Sequence, residues 1–292
     1  MCLSIRRIIL SFVVALLYTI NLYAAEPARP LEIGVLPYIN IEGLIKAYKP
    51  LTDYLEKALS RPVLLVSAKD YAHYLQLTTK KSYDLIITAS HFARMAQLEG
   101  TYEPLFRPLT TYHEVIVTKK GSPVARIADL KGRRIAIPNR LAQTTILGRQ
   151  MLKSHNIDPD VDVTLIDALS HKNAIYYVLN GEADAAIIST GGYRHSSDDV
   201  KKDIVILQPR EGYIKDRPVA IPLIYMVSRD LPPELRDQIV QSISHFANST
   251  EEGKDWIINK RRYKGLRAPT PEEMKSLDSH VEELRSVLKT CK

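Results

Sequence analysis

The chain has 292 residues, of which 45% are hydrophobic and 25% charged, so it is long enough for two ordinary domains and has a globular composition. Its net charge of +7 comes from 40 Lys and Arg against 33 Asp and Glu, a mild excess on a large surface. This excess favours anionic ligands slightly, but it is not the dense basic stripe of a nucleic-acid binder, so we exclude nucleic acid as a partner.

The first 25 residues have the order of charged, apolar and small residues that is typical of a secretory signal peptide. Two arginines precede an apolar run over residues 8–20, and two alanines follow it. A membrane-spanning helix needs roughly 20 apolar residues, and Asn21 interrupts the run before that length. We therefore predict a cleaved signal peptide over residues 1–25 and a periplasmic location. An uncleaved membrane anchor is the alternative.

Short runs rich in Val, Ile and Leu predict the strands of the exported part. They lie at residues 31–36, 63–67, 84–87, 114–118, 134–137, 162–165, 185–188, 204–207 and 223–228. The runs show little alternation between apolar and polar residues, which is typical of strands buried on both faces.

Helical patterns separate these strands. In residues 50–59 the apolar side chains fall on one face of a helix. Similar patterns occur at residues 90–98, 144–155, 170–180 and 232–248, and the chain after residue 228 is almost entirely helical in pattern. The alternation of strands and helices predicts an α/β fold with a parallel-type sheet between two layers of helices.

Two segments are natural crossings between two lobes. Residues 119–123 form a turn between successive βα blocks, and residues 208–222 contain three prolines and lack clear periodicity. A lobe that begins before the first crossing and ends after the second is discontinuous in sequence. We predict one lobe from residues 26–112 plus 220–292, a second from residues 113–219, and a ligand cleft at the hinge between them.

Motifs of common enzymes are absent from the sequence. It has no G-x-S-x-G elbow, no phosphate-binding glycine loop and no H-E-x-x-H metal pair. Only Cys291 remains after the predicted leader, which excludes an intramolecular disulfide. The basic run at residues 260–262 is interpreted as solvated surface. We therefore predict a protein that is not an enzyme and that binds no cofactor and no metal.

Polar residues after strands are the candidate ligand contacts, because ligands of open α/β sheets bind at strand carboxyl ends beside helix N termini. Gln143, Thr144 and Thr145 follow the strand at 134–137 and lead into a helix. Their hydroxyls and free backbone N–H groups suit an oxyanion. Simple capping of the helix by threonine is the alternative.

Two Ser-His pairs occupy equivalent places in the two halves. Ser170 and His171 open a helix in the same half as the threonines, and Ser90 and His91 open one in the other half. Both side-chain types donate hydrogen bonds to anions. The alternative is a capping serine beside a surface histidine.

Tyr38 and Tyr71 also follow predicted strands, where an aromatic side chain can form the wall of a pocket. Tyrosine is as often simple packing at an interface. Taken together, these residues predict capture of a small anionic solute by lobe closure, with hydrogen bonds from both lobes that form fully only in the closed state.

A series of segments, in order along the chain, resembles the phosphate/phosphonate-type substrate-binding proteins of ABC importers. The segments are residues 31–37, 49–56, 70–71, 84–86, 127–136, 170–171, 181–185 and 230–232. Residues 127–136, IADLKGRRIA, are similar to the family's DLKGK-IA segment and form the most specific match. The resemblance implies a type II periplasmic binding fold that closes on its ligand. It also implies a phosphoryl-like group at a helix N terminus, reached through a loop rich in serine and threonine.

Residues 142–145 match that loop but lack its glycine, and the family's Gly-Pro before the earlier ligand loop is absent, with Ser90 and His91 in that region. The resemblance implies delivery of a phosphonate-, phosphite- or phosphate-like anion to a membrane ABC permease. The alternatives are a sensor that signals to a separate membrane protein, or a module that has lost its ligand and acts through protein contacts. The sequence gives no sign of oligomerisation, and we predict a monomer.

Overall fold

The structure is a computed structural model that describes residues 29–216 and 220–290. The predicted signal peptide at residues 1–25 and Cys291 lie outside the described residues. Within these two ranges, none of the helices has the length and apolar character needed to cross a bilayer.

The first sheet is built from both ends of the described chain. Numbered in chain order, its strands are β1 (Leu31–Val35), β2 (Val63–Val66), β3 (Leu85–Thr88), β4 (Tyr102–Pro108), β10 (Ile224–Ser228) and β11 (Leu266–Arg267). Their order in the sheet is β11-β4-β10-β3-β1-β2. Strand β1 is parallel to β2 and β3, whereas β10 is antiparallel to β3 and β4.

The second sheet is built from the middle of the chain. Its strands are β5 (Glu114–Lys119), β6 (Arg134–Ile137), β7 (Thr164–Asp167), β8 (Ala185–Ser189) and β9 (Ile204–Leu207). Their order is β7-β6-β8-β5-β9. Strand β6 is parallel to β7 and β8, and β5 is antiparallel to β8 and β9. Both sheets are therefore mixed. The sequence predicts parallel strands, but the strands next to the crossings, β5 and β10, are antiparallel to their neighbours.

Helices cover both sheets. Those associated with the first sheet are α1 (Ile41–Ala58), α2 (Tyr71–Thr79), α3 (Ser90–Leu98), α9 (Pro233–Ser249), α10 (Glu251–Asp255), α11 (Pro271–Lys275) and α12 (Asp278–Thr290). Those of the middle segment are α4 (Gln143–Ser154), α5 (His171–Leu179), α6 (Thr190–Arg194), α7 (Asp198–Asp203) and α8 (Glu211–Asp216). A 3-10 turn at Ile127–Leu130 and a π-helical turn at Trp256–Lys260 complete the described elements.

Each sheet has an apolar core on both of its faces. In β3, Leu85 and Ile87 pack with α1 and α9, while Ile86 packs on the opposite side with residues of α3 and α12. In β6, Ile135 and Ile137 belong to one core and Ala136 to the other. Alternate side chains of a strand point to opposite faces of the sheet. A strand covered on both faces therefore appears in the sequence as an unbroken apolar run. The predicted α/β architecture is confirmed.

The chain crosses between the sheets at two neighbouring places. The backbone N–H of Tyr112 donates to the carbonyl of Ala220 at 3.2 Å, so the two crossing segments pair with each other. The turn at residues 119–123, interpreted from the sequence as a crossing, lies instead between β5 and β6 inside the second lobe, because β5 pairs with β8 and β9. Lobe boundaries at 112/113 and 219/220 remain our proposal.

Candidate functional site

A cavity of 770 Å³ lies between the two lobes, and a second of 840 Å³ adjoins it. The two cavities share lining residues from both lobes: Tyr38, Tyr71, Ala142, His171, Gly192 and His195. We treat them as two parts of one interlobe cleft. Clefts of this size between lobes are where small ligands bind.

The N terminus of α4 opens into the first cavity through Gln143 and Thr144. The capping residue Ala142 has no side-chain acceptor, and no described residue accepts a hydrogen bond from the backbone N–H of Gln143 or Thr144. Free N–H groups and the positive end of the helix dipole together attract an anion. This end of α4 is thus equipped to hold an oxyanion.

Hydroxyl groups surround this helix end. Burial raises the pKa of Tyr112 well above its usual value, and the nearby Thr144 side chain offsets part of this rise. Both residues line the cavity, as does Tyr71, and burial also raises the pKa of Tyr71. These phenols therefore stay protonated at neutral pH and remain available as hydrogen-bond donors to an anion.

On the second lobe, His171 and Ser170 lie where α5 begins. Ser170 caps the helix by accepting a hydrogen bond from the backbone N–H of Asn173 at 3.0 Å. The Nε2 atom of His171 is 3.5 Å from the Ser189 hydroxyl oxygen, and burial lowers the pKa of His171 to about 4. The imidazole is therefore neutral at pH 7.

The approach of α6 to His171 requires a glycine. A Cβ atom at position 192 would lie 2.8 Å from the Cβ of His171. The backbone N–H of Gly192 also donates to the Ser189 hydroxyl at 2.9 Å. The close contact between the backbone at Gly192 and the imidazole holds His171 against the wall of the cleft.

Ser90, His91 and Thr145, although expected in the site, do not line either cavity and are completely buried. The Ser90 hydroxyl accepts from Gln143 Nε2 at 2.5 Å, and His91 Nε2 donates to the Leu141 carbonyl at 2.9 Å. Thr145 Oγ1 donates to the Asn139 carbonyl at 2.7 Å.

These three side chains face the junction where the loop before α4 meets α3, so their hydrogen-bonding groups are directed into protein and not into the cleft. Their contacts position the loop and the N terminus of α4. The structure thus gathers six of the expected residues in the cleft: Tyr38, Tyr71, Gln143, Thr144, Ser170 and His171.

The most distinctive polar group in the cleft is Arg261, which the sequence predicts to lie on the solvated surface. Its Nη2 atom donates to the hydroxyls of Tyr38 at 3.0 Å, Tyr48 at 2.9 Å and Tyr263 at 2.9 Å. The guanidinium carbon also lies 4.6 Å from the ring centre of Tyr48 and 5.3 Å from that of Tyr263. We call these four residues the Arg261 cluster. The solvated-surface interpretation is wrong for Arg261.

The backbone around Arg261 explains why the sequence does not reveal this role. The π-helical turn Trp256–Lys260 precedes it, and Arg262 follows with a φ of 55°, in the left-handed region. Trp256 anchors the turn to α1 by donating from Nε1 to the Ala47 carbonyl at 2.7 Å. π-helical turns are rare and frequent at functional sites, but they have no simple sequence pattern.

Cationic side chains dominate the first cavity. Arg194, Lys260, Arg261 and Arg262 line it, and no carboxylate is present among the described residues of its lining. A cleft lined by charges of one sign concentrates ligands of the opposite sign. The first cavity therefore suits an anion and disfavours a cation.

Comparison with known proteins agrees with this geometry. The model of a family described as "ABC transporter, phosphonate, periplasmic substrate-binding protein" matches residues 33–274. The chain belongs to this family. The resemblance found in the sequence is confirmed, and the family is a solute-binding component of transporters located in the periplasm.

Solved structures show the same fold at low sequence identity. XAC2383 from Xanthomonas citri, bound to ATP, has a TM-score of 0.73 and 16% identity, with 89% of this chain and 98% of that chain covered. PhnD1 from Prochlorococcus marinus, in complex with methylphosphonate, has a TM-score of 0.72 and 14% identity, with 88% and 98% covered.

PA3383 from Pseudomonas aeruginosa, a binding protein component of an ABC phosphonate transporter, has a TM-score of 0.68 and 14% identity, with 90% and 97% covered. These likenesses confirm the two-lobed periplasmic binding protein fold.

Proposed function

We propose that this protein is exported and captures a small anionic solute, with a phosphonate- or phosphate-like group, for delivery to a membrane ABC permease. The observation that supports this most directly is the uncapped N terminus of α4 in a cavity lined by cations. An oxyanion at this place accepts hydrogen bonds from the two free backbone N–H groups of Gln143 and Thr144.

Both lobes contribute to the proposed site. Tyr38 and Tyr71 come from the first lobe, and Thr144, Ser170 and His171 from the second. Contacts from opposite walls are complete only when the walls approach, so the solute stabilises a closed state over an open one. The closed molecule is the form that we propose docks on the permease.

We further propose that the protein does no chemistry on its solute. His171 and Ser189 lie near each other, but 3.5 Å is long for a nucleophile and its base. Among the described residues, no carboxylate orients the Nδ1 atom of His171, which has no hydrogen-bond partner. A binding role needs neither group to be activated.

A thermal-shift screen of the protein without residues 1–25 tests the proposal. Phosphate, phosphite, methylphosphonate and sulfate are the probes. A ligand that binds only the folded state raises Tm once its concentration exceeds Kd, and at about 100 times Kd it stabilises by about 2.7 kcal/mol. We expect a concentration-dependent rise with at least one phosphorus oxyanion.

The matched variants are Thr144→Val, which removes a hydroxyl in the cleft, and Thr145→Val, which removes one outside it. We expect Thr144→Val to weaken binding about tenfold and Thr145→Val to lower stability with little change in affinity once folded. No rise in Tm with any of the anions would refute the oxyanion function.

A further inference from the structure

We infer that the Arg261 cluster recognises a second acidic group on the solute, so the natural ligand carries two acidic groups and no amine. This inference rests on the proposed function, because it assigns a substrate class to the same cleft. The two acidic groups would occupy the N terminus of α4 and the Nη1 side of the Arg261 guanidinium, which both line the first cavity.

The cavity is large enough for such a compound. Ligand pockets of about 300–1,000 Å³ hold molecules much larger than a single tetrahedral oxyanion. With 770 Å³ between the lobes, an oxyanion on α4 leaves space for the remainder of an organic molecule. Because α4 belongs to the middle segment and Arg261 to the C-terminal segment, two acidic groups bridge the lobes.

The Nη1 atom of the Arg261 guanidinium is free to bind a ligand. The Nη2 atom is shared among three phenol oxygens. No described residue accepts a hydrogen bond from Nη1, and Nη1, unlike Nε, is not among the buried atoms that lack a partner. Since Arg261 lines the cavity, we infer that Nη1 is open to the cleft. Nη1 can donate to one oxygen of a carboxylate or phosphonate, and such a charge-assisted hydrogen bond is roughly twice as strong as a neutral one.

Within the described part of the chain, Arg261 also lacks a counter-ion. It forms no ion pair with any carboxylate in residues 29–216 and 220–290, and burial raises the pKa of Tyr48 and of Tyr263, so both phenols stay neutral. Neutral hydroxyls and ring faces solvate the cation but do not cancel its charge. A charge partly withdrawn from water is costly unless it is paired, and an acidic group of the solute completes this pairing.

The cluster is held in place before any ligand arrives. The bond from Trp256 to α1 fixes the π-helical turn, and the hydroxyls of Tyr38 and Tyr48 lie 3.2 Å apart, with the Arg261 Nη2 bonded to both. A site whose donors are already in position loses less entropy when it binds. This rigidity distinguishes Arg261 from its neighbour Arg262, whose side chain is exposed.

The same lining argues against an amine on the solute. An ammonium group needs a carboxylate or several oxygen acceptors, and the described lining of the first cavity supplies four cations and no carboxylate. A zwitterionic aminophosphonate therefore meets repulsion at the place where a carboxyphosphonate meets Arg261.

Calorimetric titration with three phosphonates of similar size tests the inference. Ethylphosphonate carries no second charge, 2-aminoethylphosphonate carries an amine, and phosphonoacetate carries a carboxylate. We expect the unmodified protein to bind phosphonoacetate at least about tenfold more tightly than ethylphosphonate, since hydrogen bonds to charged groups are the stronger ones. We expect 2-aminoethylphosphonate to bind most weakly.

Arg261→Gln is expected to remove the preference for phosphonoacetate while ethylphosphonate still binds. Arg262→Gln is the control, because it removes the same charge from an exposed neighbour in the same cavity lining. Arg261→Lys keeps the charge but removes the planar guanidinium, which bonds the three phenols through Nη2 while Nη1 stays free, so it decides the question if Arg261→Gln fails to fold. We expect the lysine variant to lose most of the preference.

Equal affinity of the unmodified protein for phosphonoacetate and ethylphosphonate would overturn the inference and leave the proposed function intact. So would an equal loss of preference in Arg262→Gln, because a diffuse positive field would then explain the selectivity. If no phosphonate binds and phosphate, phosphite and sulfate also fail, the proposed function falls and this inference falls with it.

Discussion

At the scale of single residues, the cleft depends on side chains whose protonation is set by burial. Burial lowers the pKa of His171 to about 4, so a neutral imidazole lines the free site at pH 7. Burial raises the pKa of Tyr71 and Tyr112, so both keep their hydroxyl protons. The site can therefore donate hydrogen bonds throughout the neutral range.

The affinity for an oxyanion is expected to rise as the pH falls. A bound anion beside His171 favours the protonated imidazole, so the pKa of His171 is higher in the complex than in the free protein. Binding then takes up protons below the pKa of the complex. A rise of about two in that pKa makes the affinity at pH 5 about tenfold that at pH 7.

Calorimetry with methylphosphonate on the unmodified protein and on His171→Gln measures this effect. The variant keeps a hydrogen-bond donor but cannot titrate, and comparison of the two proteins cancels the titration of the ligand itself. The same pH dependence in both proteins would show that His171 does not couple to the anion.

Single residues were also the hardest feature to predict. Tyr38 and Thr144 were expected in the site because they follow strands, and they do line the cleft. Ser90 and His91 also follow a strand, but the start of α3 packs against the start of α4 and the loop before it. Both side chains are therefore buried. Arg261 was missed because its position depends on a π-helical turn that composition cannot reveal.

At the scale of elements, α4 connects the lobes. Its first turn contacts α3 through the bond from Gln143 to Ser90. Further along, Arg149 donates from Nε to Glu283 of α12 at 2.6 Å, and Lys153 pairs with the other oxygen of Glu283 at 2.6 Å. The helix that presents its N terminus to the cleft thus contacts the first lobe at two places in this state of the molecule.

Removal of the Glu283 charge is expected to destabilise the molecule. Arg149 is almost fully buried, and in Glu283→Gln it keeps only its ion pair with Asp160. A buried charge that loses a partner costs about 3 kcal/mol. Chemical denaturation measures the loss, and Glu282→Gln, a change at an exposed neighbour, is the control. Similar stability of both variants and the unmodified protein would contradict this role for the network.

Element types were predicted better than element limits. The nine predicted strands are present, since apolar runs buried on both faces have a strong pattern. Strand β4 was missed because Pro104 and Pro108 make it resemble a loop, although it lies beside β10 in the sheet. The start of α1 was placed at Pro50, but the helix begins at Ile41 because Asn40 caps it.

At the scale of the whole molecule, two lobes surround a cleft whose first cavity is lined by cations and attracts anions. One core of each sheet is separate, while Leu141 and Ile146 of the middle segment join the other core of the first sheet, and the chain crosses between the sheets where Tyr112 pairs with Ala220. A crossing with few backbone hydrogen bonds permits the two lobes to move as rigid bodies around it. The apolar runs of the sequence predict this architecture. The chemistry of the cleft, in contrast, depends on side chains that are distant in sequence and meet only in the folded protein.

The most direct test of the account is a crystal structure of the protein with methylphosphonate, or with whichever phosphorus oxyanion gives the largest thermal shift. We predict that the phosphonate oxygens accept hydrogen bonds from the backbone N–H groups of Gln143 and Thr144, with Tyr38 or Tyr71 contacting the same molecule from the other lobe. A ligand bound outside the interlobe cleft, or one that touches a single lobe with the N terminus of α4 still vacant, would contradict the account.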